Sequence, residues 1–289
     1  MAPVVEPLDA TLGAVVTEVS LGELSADDWA VIAEAFLEHA LLVFPAQHLD
    51  DEQQRAFGER FGALDVLVRD RGGTVAITNQ RPDGSVVPSD HQALAVMRGN
   101  EGWHTDSSYM PIAAKASVLS ARVVPGSGGE TEWADMRAAY DALDDETRDR
   151  IADLAAYHSL VYSQARAKAD QRGGYGIDQD EMPLRPLVKV HPETGRAALY
   201  IGRHAHDIPG LDPDESERLL DRLMEEACRP PRLYRHRWEV GDVIAWDNRA
   251  VLHRAHPFDY TEPRVMVHTR IEGDHTTEAG IGSRPTIRA

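Results

Sequence analysis

An antiparallel β-sandwich or barrel decorated by helices is the fold class that this 289-residue sequence predicts. Short β-branched or apolar segments of strand length recur along the whole chain. Helical stretches are inserted among them without the regular strand–helix–strand alternation of a doubly wound sheet. The hydrophobic share, 42% of residues, is ample for a buried core, and the length suits one large domain or two small ones.

Residues 13–19 (Gly-Ala-Val-Val-Thr-Glu-Val) read as the first strand. A helix then opens at Ser25, an N-cap residue with Asp28 three positions on, and apolar Trp29, Ile32, Ala33, Phe36 and Leu37 repeat at helical spacing. Residues 40–44 form a short continuous apolar run of strand length; Asp50 caps a second helix that stops at Phe61-Gly62. Residues 74–79 and 116–124 are β-branched-rich strands, and helices are expected around 135–157. Another helix starts at Asp212-Pro213, where an N-cap, a first-turn proline and an acidic first turn agree. Strands return at 243–246 and 264–271. Between about 164 and 183 there is no sustained apolar period and there are three glycines, so this stretch is a lid or a mobile connection.

Thirty basic against 48 acidic residues give a net charge of −18, which repels phosphate backbones and anionic membrane surfaces; neither nucleic acid nor membrane is an expected partner. The single cysteine, Cys228, forbids an intrachain disulfide and fits a reducing compartment. No apolar stretch approaches the length of a membrane span and no basic-then-apolar leader opens the chain, so the expected location is the cytoplasm.

Chemistry concentrates at Trp103-His104-Thr105-Asp106, which sets an imidazole and a carboxylate two residues apart, and at His253 far downstream. Two histidines and one carboxylate are the ligand type that holds non-haem Fe(II) on one face and leaves the other positions open. On extended backbone, residues two apart face the same side, so His104 and Asp106 converge while Thr105 points away. His253 then has to come from a neighbouring strand or its end. Within Trp246-Asp247-Asn248-Arg249, Asp247 and Asn248 precede a turn and read as caps of backbone groups rather than ligands. His256 reads as a surface or turn residue, and Cys228 needs no redox role.

Four segments, residues 99–109, 128–133, 191–200 and 246–253, resemble in order the motifs of the Fe(II)/2-oxoglutarate dioxygenases, most closely the taurine dioxygenase and 2,4-dichlorophenoxyacetate dioxygenase family, with similarity from about residue 13 to residue 271. The resemblance implies a single domain over 1–289, mostly β with helical insertions, built on a double-stranded β-helix (jelly-roll), cupin-like core. It implies His104, Asp106 and His253 as metal ligands, with Fe(II), 2-oxoglutarate and O2 as cofactor and co-substrates. Arg264, eleven residues after His253, matches the arginine that binds the distal carboxylate of 2-oxoglutarate, and Thr131 the hydroxyl that joins it. A planar guanidinium suits that task, because it meets a carboxylate with two parallel hydrogen bonds. The implied activity is hydroxylation of a small organic acid or related molecule with release of succinate and CO2. Dimers or tetramers are implied as well.

The sequence departs from the family at the substrate. His268 stands where the family has an anion-binding arginine; Arg270 shares its strand face, since 264, 266, 268 and 270 alternate onto one side. Leu67 occupies the place of a substrate-binding histidine, whereas Asn100 matches a substrate contact. Leu67, Asn79, Asn100, His268 and Arg270 are therefore the candidate substrate residues. Residues 234–242 and 252–254 lean towards the branch acting on aryloxyalkanoates. Two alternatives stand beside hydroxylation: desaturation or oxidative decarboxylation by the same cofactors, and a non-catalytic jelly-roll binding protein.

Overall fold

The computed structural model describes residues 2–166 and 182–284. The expected lid falls mostly outside them; its first residues, 164–166, close the helix Leu160–Arg166, and residues 182 and 183 begin the strand Met182–Pro186.

A seven-stranded sheet runs in the order Val4–Pro7, Ala14–Thr17, Leu41–Phe44, Val243–Asp247, Ala114–Val123, Val265–Glu272, Val75–Thr78. Its pairs are antiparallel except Ala14–Thr17 with Leu41–Phe44. A three-stranded sheet, Leu233–His236, Thr131–Asp135 and Val251–Ala255, is antiparallel throughout. From Leu41–Phe44 to Val75–Thr78, neighbouring strands of the large sheet are far apart in sequence, as in a jelly roll.

The alternation of side chains explains the layers. Leu41, Val43, Ile244, Trp246, Leu119 and Met266 point to the core they share with Trp133 and Val251 of the small sheet. Their neighbours Leu42, Phe44, Val243, Ala245, Ala116 and Val118 point the other way, onto Ile32, Phe36 and Phe57 of the helices Ala26–His39 and Asp51–Glu59. The outer face of the small sheet, through Ala134 and Leu252, is covered by Leu219 and Leu223 of the helix Pro213–Ala227. Leu41–Phe44 and residues 243–246 are thus buried on both faces, which is why they read as continuous apolar runs.

The expected caps are in place. Ser25 Oγ accepts from Asp28 N at 3.1 Å, Asp50 and Gln53 close a reciprocal capping box, and Asp212 accepts from Asp214 N. Each contributes on the order of 1 kcal/mol. One expectation fails: of residues 135–157 only Met136–Asp141 and Asp145–Ile151 are helical, and Ala155–His158 is a strand paired with Met182–Pro186. Those alanines satisfy either state locally, and the waiting partner strand decides. Among the described residues no helix is long and apolar enough to cross a membrane.

Candidate metal and co-substrate site

His104 and His253 are joined by a reciprocal pair of main-chain hydrogen bonds, His104 N to His253 O at 2.9 Å and His253 N to His104 O at 2.8 Å. The segment through His104 thereby adds an edge to the small sheet beside Val251–Ala255. The chain then turns at residues 106–109, with Ser107 at φ 54°. His104, Asp106 and His253 each bring one ligand atom to a common point, all within 4.8 Å of one another, and all three are buried. The imidazole centroids lie 4.1 Å apart. His104 Nδ1 donates to Gly102 O at 2.8 Å, which fixes the tautomer and leaves Nε2 for a ligand.

Protonation states suit a cation. Burial holds His104 well below its ordinary pKa, helped by the neighbouring His253 charge and opposed by Asp106. Burial also lowers His253, to about 4, against the pull of Asp106. For Asp106 burial acts upward, but His253, His268 and Arg270 outweigh it and keep the carboxyl well below its usual range. Two neutral imidazoles and one carboxylate are what a divalent ion needs.

The same cavity contains Thr131 and Arg264. Arg264 is 5% exposed. Its Nη2 donates to Gly129 O at 3.0 Å, its Nε has no hydrogen-bond partner, and no carboxylate pairs with it among the described residues. Burial lowers its pKa to about 10, with Tyr260 and Glu130 acting against the shift. Thr131 Oγ1 accepts from Trp238 Nε1 at 2.9 Å, which leaves its own proton to donate. A guanidinium buried without an anion is costly, and an incoming carboxylate relieves that cost. The donor set therefore fits both a ferrous ion and a dicarboxylate.

The remaining candidates divide. Asn100, His268 and Arg270 line the cavity together with Arg264 and Met266, so the alternating strand face of the sequence reading is present. His268 Nε2 lies 3.4 Å from Asp106 Oδ2 and its ring stacks on Trp246 at 8°. Arg270 Nη1 donates to Ser107 Oγ at 3.3 Å. Leu67 and Asn79 do not line the cavity. Leu67 sits in the short helix Val66–Arg69, its backbone N–H bound to Asp65. Asn79 is fully buried; its amide donates to the carbonyls of Tyr260 and Glu262 and accepts from Arg264 N at 2.7 Å. It braces the start of the Arg264 strand, with both amide protons given to main-chain carbonyls. Sequence reading missed Tyr109, Arg203 and His204, which also line the cavity; Tyr109 ends the segment 99–109, whereas Arg203 and His204 belong to no short motif.

Buried neutral histidines carry a stability consequence. His158, His204, His104 and His253 all titrate below their ordinary value in the folded chain, with burial as the leading cause. Unfolded, they take protons near pH ~6.5. The unfolded state therefore binds more protons below that pH, and stability falls with acidification. Melting temperatures of metal-free protein should drop steadily from pH 7 to pH 5; a flat or rising trend would contradict the burial of these rings.

Fold and site together fit a non-haem iron dioxygenase. The family model described as taurine catabolism dioxygenase TauD, TfdA family, matches residues 5–270. The (S)-phenoxypropionate/alpha-ketoglutarate-dioxygenase of Sphingobium herbicidovorans is 53% identical over 285 residues, covering 96% of this chain and 97% of that one. The alpha-ketoglutarate-dependent 2,4-dichlorophenoxyacetate dioxygenase of Cupriavidus pinatubonensis is 37% identical over 285 residues, covering 92% and 96%. The crystal structure of AAD-2 in complex with Mn(II) and N-oxalylglycine aligns over 100% of both chains with a TM-score of 0.87 and 35% identity. The chain belongs to the TauD/TfdA family of dioxygenases. It is an Fe(II)- and 2-oxoglutarate-dependent oxidoreductase acting on a small molecule, which sets aside the non-catalytic alternative.

Proposed function

We propose that His104, Asp106 and His253 hold Fe(II), that Arg264 and Thr131 bind the distal carboxylate of 2-oxoglutarate, and that the enzyme hydroxylates a 2-aryloxypropionate or similar small aryl acid. The observation that carries the cofactor assignment is the buried Arg264 guanidinium, without a carboxylate partner among the described residues, in the cavity that also holds the triad. AAD-2, a relative, takes Mn(II) and N-oxalylglycine, a divalent ion and a dicarboxylate. Fe(II) bound here supplies the activation of O2 that couples oxidative decarboxylation of 2-oxoglutarate to substrate oxidation. The protein's part is to hold, orient and enclose.

For the substrate, two relatives at 53% and 51% identity are named for phenoxypropionate. The cavity offers aromatic and apolar walls, among them Tyr109, Phe258, Leu160 and Met97, and positive charge from Arg203 and Arg270. An aryl acid needs both kinds of surface. In the proposed reaction one C–H bond, O2 and 2-oxoglutarate become C–OH, succinate and CO2. When the hydroxylated carbon carries the ether oxygen, its bond to the aryloxy group breaks, giving a phenol and a keto acid. The acidic surface and single cysteine support a cytoplasmic setting without nucleic-acid partners.

The reading is tested by supplying Fe(II), 2-oxoglutarate and O2 with (S)- or (R)-2-phenoxypropionate, phenoxyacetate or taurine. Succinate should form in step with phenol for one phenoxypropionate enantiomer and not with taurine. If no aryloxy acid raises succinate above the substrate-free rate, the substrate class is wrong. A product lacking two hydrogens, without added oxygen, would instead favour desaturation.

A further inference from the structure

We infer that Ser117 and Asn248 form a positioning pair that fixes the Asp106 carboxylate for its metal; the inference rests on the proposed ligand role of Asp106. Ser117, on the strand Ala114–Val123, is fully buried, and Asn248 is 1% exposed. Ser117 Oγ donates to Asp106 Oδ2 at 2.7 Å and accepts from Asn248 Nδ2 at 2.9 Å. Asn248 Oδ1 accepts from Trp246 Nε1 at 3.0 Å and from Asp106 N at 3.2 Å. Thr105 Oγ1 closes the group by donating to Asn248 O at 2.7 Å.

These contacts leave one hydrogen-bond orientation. Indole and backbone N–H groups only donate, so the side-chain oxygen of Asn248 has to face Trp246 and Asp106 N. Its NH2 group is thereby aimed at Ser117, and the serine proton, with no other direction left, goes to Asp106. Each bond polarises the next. The carboxylate is held at Oδ2 while its own backbone N–H is held by the same asparagine, so it resists the rotation that would turn both oxygens to an ion. Asn248 also anchors Trp246, whose ring lies 4.7 Å from His253 and stacks on His268. One amide therefore sets the surroundings of two proposed ligands.

The test is Mn(II) titration of the full-length protein, read as loss of the free-ion signal in electron paramagnetic resonance. Ser117→Ala removes a single oxygen, and its Mn(II) affinity should fall roughly 10- to 100-fold, as expected when an outer partner of a ligand is lost. Its melting temperature without metal should stay within about 4 °C of the unmodified protein. With Co(II) at saturation, the ligand-field spectrum should change in Ser117→Ala, because the released carboxylate can coordinate differently; a merely structural serine would leave it unchanged. Affinity within about threefold of unmodified, with an unaltered Co(II) spectrum, overturns the inference. Failure of the unmodified protein to bind Mn(II) would instead overturn the ligand assignment itself. Ser117→Ala combined with Asn248→Ala should bind no more weakly than Asn248→Ala alone, since Ser117 acts on the carboxylate in the orientation that Asn248 gives it; additive losses would break the pairing.

Discussion

His104→Ala and His253→Ala each lower substrate-dependent succinate formation by at least roughly 10³-fold, because losing even an outer partner of a ligand costs 10- to 100-fold in metal affinity and a ligand itself costs more. Among the described residues no third histidine joins the cluster. His268 lies against Asp106 and is stacked on Trp246, and His204 Nδ1 is engaged with Ser163. Succinate by chromatography and metal content by atomic absorption decide the matter together. Retention of a full metal complement and more than a tenth of the turnover in either variant would remove that histidine from the site.

Arg264→Met produces two effects of opposite sign. The Michaelis constant for 2-oxoglutarate rises by about 10²- to 10³-fold, since deleting one member of a buried charge pair costs roughly 3–5 kcal/mol and each decade is 1.4 kcal/mol. At the same time the ligand-free protein becomes more stable, because a desolvated cation without a carboxylate is replaced by an apolar side chain of similar reach. Arg264→Lys should fall between, keeping the charge but losing the two-pronged geometry. Thermal melts with and without N-oxalylglycine separate the effects, since a ligand that binds only the folded state raises its stability. A ligand-free protein destabilised by Arg264→Met, with an unchanged Michaelis constant, would reduce Arg264 to a structural residue.

The triad was legible because its geometry is local and simple: extended backbone carries His104 and Asp106 to one side, and a long-range strand pairing delivers His253. The shared face of residues 264, 266, 268 and 270 was legible from strand alternation, while the role of Arg264 came from the family resemblance. The substrate end was less so. Asn79 was nominated by position, yet its amide is consumed by carbonyls at 260 and 262 and by the N–H of 264, partners no local pattern announces. Ser117 lies in a strand that also carries Ser120, and nothing nearby marks one hydroxyl as facing a carboxylate. Arg203 and His204 reach the cavity through a loop whose course depends on the assembled sheets. Residues 155–158 show the same limit for the fold, as a strand chosen by its partner.

The reciprocal main-chain bonds between His104 and His253 separate two kinds of change. The spacing of the two imidazoles is written into peptide groups, which side-chain replacement does not touch, so the walls around Asn100, Leu160 and Phe258 can be exchanged without resetting that spacing. A change of specificity here is a change of chamber wall, with the register of the two rings left as it stands.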